Sequence, residues 1–116
     1  MLKNLMVMVV GAVLASGARG DLVVMAGSVN QVLVDSESYG ECMVALNPQP
    51  VTQDARCKGR WVAFSCSGDF NSKSSGKTKF DTALAAYVIE ESVSVVVDTD
   101  QKHNGYCFAK QIKLVK

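Results

Sequence analysis

The segments Arg60-Trp-Val-Ala-Phe-Ser-Cys66 and Ser92-Val-Ser-Val-Val-Val-Asp98, with the residues between them, decide how this chain is organised. Trp61, Ala63 and Ser65 alternate with Val62, Phe64 and Cys66, so Lys58 to Cys66 is predicted to be a strand with bulk on both faces, which places it centrally in a sheet. Ser67 to Gly76 is rich in Ser, Gly, Asn and Lys and reads as an exposed connection. Phe80, Ala83, Leu84, Tyr87 and Val88 then follow at i, i+3, i+4, i+7 and i+8, the stripe of a helix running from Lys77 to about Ile89. Ala85 and Ala86 on its other side suggest that a neighbour packs there too. Glu90 and Glu91 end the helix, and Val93, Val95 and Val97 alternate with Ser92, Ser94 and Val96 as the next strand.

Outward from this unit lie more strands. Leu22 to Val34 is a β-branched run predicted to be one long strand, bent or bulged at Gly27. Asp35 to Gly40 has turn chemistry, and Glu41 to Leu46 is a second strand. Asn47-Pro-Gln-Pro50 cannot pair regularly, because proline lacks the donor and restricts the residue before it, so a loop is expected to about Arg56. Asp98 to Gly105 is a polar hairpin, and Tyr106 to Val115 is a fifth strand. The class is mainly β, in the order β-β-β-α-β-β. A helix between strands three and four of five is the arrangement of an OB-fold-like barrel, in which strand three lies beside strands two and five.

The first 20 residues carry a positive start at Lys3, an apolar run from Leu5 to Leu14 and small residues from Ala15 to Ala18. That order predicts a secretory signal peptide at 1–20 and a single domain at 21–116; the run is too short to span a bilayer. Removing it takes two of the 12 basic residues and no acids, leaving 10 against 11 acidic. Near-neutrality gives no electrostatic reason to expect nucleic acid or anionic membrane as a partner. The expected localisation is secreted or periplasmic.

Cys42, Cys57, Cys66 and Cys107 are separated by 15, 9 and 41 positions, without the close pairs of a zinc site, so no metal is expected. An even number in a small exported chain implies two disulfides, with three pairings open. The barrel order favours Cys42 with Cys57, clamping the Pro loop, and Cys66 with Cys107, tying strand three to strand five.

Catalytic signals are weak, and neither an enzyme nor a cofactor is expected. Ser74-Ser-Gly-Lys-Thr78 resembles the end of a phosphate-binding loop, but position 71 is Asn where that pattern requires glycine. His103, the single histidine, reads as an exposed turn residue. Asp98 and Asp100 flank a turn where aspartate is common. Tyr39, Trp61, Asn104 and Tyr106 form a candidate ligand-binding set, because sugar rings stack on aromatic faces and amides bond their hydroxyls. For Trp61 the favoured reading is that it fills the barrel.

Phe80-Asp-Thr-Ala-Leu-Ala-Ala-Tyr-Val-Ile-Glu-Glu-Ser-Val-Ser-Val-Val-Val97 resembles the helix-to-strand segment of pentameric B subunits of bacterial toxins, of the subtilase cytotoxin and typhoid toxin type. Phe80, Ala83, Leu84, Tyr87, Val93 and Val95 carry the likeness, and Glu90 stands where that family has glycine. The resemblance implies an OB-fold ring of five copies, helices lining its pore, and glycan recognition on the barrel's outer surface. Lys102-His-Asn-Gly-Tyr-Cys107 is also similar to small exported bacterial proteins. The expected function is a non-enzymatic binding module with a glycan partner; the alternative is a periplasmic structural or inhibitor-like protein that binds another protein.

Overall fold

The computed structural model describes residues 21–47 and 56–116. The predicted signal peptide at 1–20 and the core of the Pro loop at 48–55 lie outside the described residues.

The first strand, β1 (Leu22–Val34), is long because it serves two neighbours. Leu22 to Ser28 pair with β4 (Ser92–His103), and Ser28 to Val34 pair with β2 (Cys42–Asn47). Ser28 stands at the exchange point, facing both Asn47 and Ser92, and its hydroxyl donates to the Asn47 carbonyl at 2.9 Å. The irregularity predicted at Gly27 falls instead between Val29 and Gln31, where the register slips by one residue. The extra residue sets Val32 opposite Val44, and past it β1 is largely open to solvent, with Val32 and Val34 exposed and Leu33 half-buried.

The third strand, β3 (Trp61–Ala63), is far shorter than the predicted Lys58 to Cys66. Ser65 takes a left-handed backbone, φ 58°, and turns the chain out of the sheet. β4 runs past Asp98 to His103, and β5 (Tyr106–Val115) returns from it, so the predicted polar hairpin shrinks to Asn104-Gly105. A shift between Asp98 and Lys102 absorbs the mismatch; there the Asp98 carboxylate accepts from the Asp100 N–H at 2.8 Å. β3 lies beside β2 and, in parallel, beside β5 through Ala63 and Phe108. The order β1-β2-β3-β5-β4 returns to β1, so the five-stranded sheet closes on itself. Met25, Val44, Leu46, Val62, Phe64, Val93, Val95 and Val97 fill its buried interior.

The helix α1 (Lys73–Ile89) starts a turn before the predicted Lys77. Ser72 caps it by accepting from the Ser75 N–H at 3.0 Å, a signal hidden in a stretch whose composition reads as loop. The buried face is Gly76, Phe80, Ala83 and Ala86, with Leu84 packed beside it. Tyr87 and Val88, predicted on the stripe, are exposed, and Ala86, predicted opposite it, is buried. Gly76, Ala83 and Ala86 let the helix approach the strands closely, and Phe80 fills the space between them against Phe64. Glu90 ends α1 in the left-handed region at φ 60°, a position that favours glycine.

The disulfides pair Cys42 with Cys66 and Cys57 with Cys107, which corrects the expected Cys42–Cys57 and Cys66–Cys107. Antiparallel register explains why. Met43 faces Ala63 and the Phe64 N–H donates to the Cys42 carbonyl, so Cys42 lies at the end of the β2–β3 pair nearest Cys66 and farthest from Cys57. Cys57 instead precedes β3 where the Lys58 N–H donates to Gly105 O at 3.0 Å, beside Cys107. Two disulfides fit an oxidising compartment.

Candidate ligand site at the hairpin tip

The β4–β5 turn is closed by His103 facing Tyr106, with Asn104 at φ 56° and Gly105 at φ 90°. Two successive left-handed residues make the tight turn whose twist matches the strands, and Asn-Gly is its preferred sequence. The Cys57–Cys107 bond and the Lys58 to Gly105 hydrogen bond peg the segment before β3 to this tip. Facing it is the turn from Asp35 to Glu41. The Asp35 carboxylate accepts from the N–H groups of Glu37 and Ser38, each at 2.8 Å, and the turn tightens into a single 3-10 turn at Tyr39–Glu41.

Three of the four sequence-predicted residues come together here. Asn104 Oδ1 accepts from the Tyr39 N–H at 2.9 Å, and the Tyr39 and Tyr106 rings lie 6.1 Å apart at 55°. Lys58 Nζ sits 5.1 Å over the Tyr106 ring, a cation–π contact that sequence reasoning missed because Lys58 lies in another segment. Trp61 is a half-buried rung of β3 in register with Ala45.

Beneath the tyrosines, His103 is mostly buried, not an exposed turn residue; its side chain is 11 % accessible. Its Nε2 lies 3.0 Å from Ser65 Oγ, its ring is 4.6 Å from that of Phe70, and its Nδ1 is 3.9 Å from Asp69 Oδ2. The ring also fills the space that a side chain at Gly40 would need, since a Cβ there would meet His103 Cδ2 at 2.5 Å. His103 therefore joins the Gly40 turn, the Ser65 turn and the hairpin tip. Ser65 Oγ also accepts from the Phe70 N–H at 3.0 Å and is fully buried, so the Ser65, His103 and Asp69 set is a tie between loops with no exposed nucleophile. Nothing in the sequence marked Ser65, because its role depends on a backbone conformation that serine rarely takes.

Burial lowers the His103 pKa from its usual 6.5, with the Asp69 carboxylate acting in the opposite sense. A histidine depressed in the folded state binds its proton more readily when unfolded. Its contribution is complete above the unfolded value and is lost as pH falls from about 6.5 through the lower folded value. Thermal unfolding between pH 7.5 and 5 should show this loss in the parent chain and a flatter profile in His103→Gln; equal slopes would contradict the assignment.

A second concavity of about 550 Å³ lies between the end of β1 and α1. Val34, Phe80, Leu84 and the Cys42–Cys66 bond give it apolar walls, and the Lys77–Asp81 ion pair, 2.9 Å, stands on its rim. The phosphate-loop-like Ser74 to Thr78 lies inside α1, where Gly76 packs against the carbonyls of Phe64 and Ser65 and forms no cradle. Among the described residues no group of three His, Cys, Asp or Glu could hold a metal ion, and no helix is long and apolar enough to cross a membrane. Comparison with family models, curated proteins and solved structures returns no match to this chain.

Proposed function

We propose that this chain is an exported, non-enzymatic binding module, an OB-fold barrel that recognises glycans through the Tyr39–Tyr106 face. The observation that carries this reading is the tyrosine pair itself. Two rings 6.1 Å apart stand on turns that Asn104 joins and His103 underpins, so contacts within the chain set their positions. Ordering in advance reduces the entropy lost on binding. The Asn104 amide beside Tyr39 and the Lys58 ammonium over one face of Tyr106 supply polar groups next to the rings, the combination that a sugar's hydroxyls and apolar face require. The likeness of Phe80 to Val97 to toxin B subunits supports the same class. So does the closed strand order with its helix between β3 and β4. By that likeness the working form is a ring of five.

A glycan array on the mature protein, followed by calorimetry with the strongest saccharide, tests this reading. Tyr106→Ala should weaken binding at least about fivefold, from the 1–3 kcal/mol that stacking on one aromatic ring contributes elsewhere. An array without signal would overturn the glycan assignment. Light scattering reads the assembly directly, and a monomer would remove the ring of five. The protein-binding alternative is favoured by the apolar concavity beside Val34, itself 72 % exposed. It predicts a co-purifying protein whose capture is lost in Val34→Asp.

A further inference from the structure

On the far side of Phe70 from His103, a smaller and more polar pocket opens between α1 and the β4–β5 pair, about 270 Å³ in volume. Lys79 and Lys110 line it together with Asn71, Ser75, Gln101 and Phe108, and among the described residues no acidic side chain does. Lys79 is held in place at two points: Nζ donates to the Ala109 carbonyl at 2.9 Å and sits 4.5 Å over the Phe108 ring. An ammonium has three N–H groups and the carbonyl takes one, so donors remain for the pocket. Among the described residues neither lysine has a carboxylate within ion-pair distance. The two charges instead disfavour each other: burial first, and then the charge of Lys110, lower the Lys79 pKa. Two like charges facing one polar pocket cost electrostatic energy, and an anion between them would remove that cost.

We propose that this pocket is a site for a small oxyanion, a sulfate or phosphate group, held between Lys79 and Lys110 with Ser75 and Gln101 as neutral hydrogen-bonding partners. The volume is below the roughly 300 to 1,000 Å³ of pockets that enclose whole drug-sized ligands, which suits a compact charged group. That group arrives either as the free ion or as a substituent on a larger molecule whose remainder stays outside. The site is separate from the tyrosine face and does not rest on the glycan reading.

The test is an amide chemical-shift titration of the oxidised mature protein at neutral pH with sodium sulfate and sodium phosphate, against sodium chloride at matched ionic strength. Saturable shifts at Ser75, Lys79 and Lys110, absent in chloride, are expected. Lys110→Gln should weaken the oxyanion at least fivefold. Lys113→Gln removes the same charge from an exposed position on β5 and should change affinity by less than twofold. Shifts that grow linearly with salt, or equal losses in the two variants, would overturn the site. A monosaccharide sulfate ester run beside free sulfate identifies the source. Tighter binding of the ester supports the site as a receptor for a substituent, and no gain supports it as a site for the free ion. Because the readout is confined to this pocket, its failure is distinguishable from failure of Tyr106→Ala to affect a saccharide.

Discussion

Replacing Cys57 and Cys107 together with alanine lowers the unfolding free energy by about 4 kcal/mol, the chain-entropy value for a link across 50 residues. The same replacement of Cys42 and Cys66, 24 residues apart, costs about 3.5 kcal/mol on that basis. A small domain has roughly 5 to 15 kcal/mol in all, so either loss leaves it marginal at physiological temperature. The longer link has the larger structural consequence. It fixes the segment before β3 against the hairpin tip, beside Lys58 and Tyr106. Urea unfolding of the double variant measures the loss, and a value under 1 kcal/mol would contradict it. Peptide mapping without reductant should join Cys57 to Cys107; a Cys42–Cys57 peptide would show that the register between β2 and β3 is wrong.

Gly76→Ala is the second substitution with a large expected effect, and its sign opposes the usual rule. Inside an exposed helix, glycine to alanine gains about 1 kcal/mol. At Gly76 the added Cβ would lie 2.7 Å from the Phe64 carbonyl oxygen and 2.8 Å from that of Ser65. Both are backbone atoms, and neither can swing aside as a flexible side chain would. Overpacking of this kind typically costs 1–3 kcal/mol, which outweighs the propensity gain and leaves an expected net loss of about 1 kcal/mol. The displacement also falls on Ser65, whose hydroxyl meets His103. The variant should therefore shift the His103 ring resonances as well as lower the melting temperature. A melting temperature at or above that of the parent would mean that α1 does not press on the Ser65 turn.

The sequence revealed the periodic elements and concealed the turns. β1 from Leu22 to Val34, β5 from Tyr106 to Val115 and the end of the helix at Ile89 follow from alternation and spacing. The neighbours of β3 follow from the order of elements. What could not be read has three physical sources. Left-handed backbone at Tyr39, Glu41 and Ser65 is imposed by contacts distant in sequence, and it shortens β3 and shapes the site. Disulfide pairing depends on register between strands, which the spacing of cysteines does not encode. The helix contact runs through Phe80 and Ala83, which lie on the predicted stripe, but continues through Gly76 and Ala86, where a hydrophobicity pattern selects Tyr87 and Val88. Of the candidate site, the aromatic and amide residues were legible by type. Lys58, Ser65 and Phe70 were not, because only the fold brings them to the hairpin.

The circuit of strands has one thin place. β1 meets β4 along seven residue pairs, whereas β3 meets β5 through Ala63 and Phe108 alone. The sulfur bridges fall on either side of that junction, one at Cys66 after β3 and the other at Cys107 before Phe108. Spontaneous breathing of the native sheet concentrates where hydrogen bonding is sparsest. Of the two, the Cys57–Cys107 clasp crosses from the segment before β3 to β5 and limits how far that gap can part, while Cys42–Cys66 holds the end of β3 to β2, so excursions at the seam stay shallow and the rest of the girdle keeps its shape.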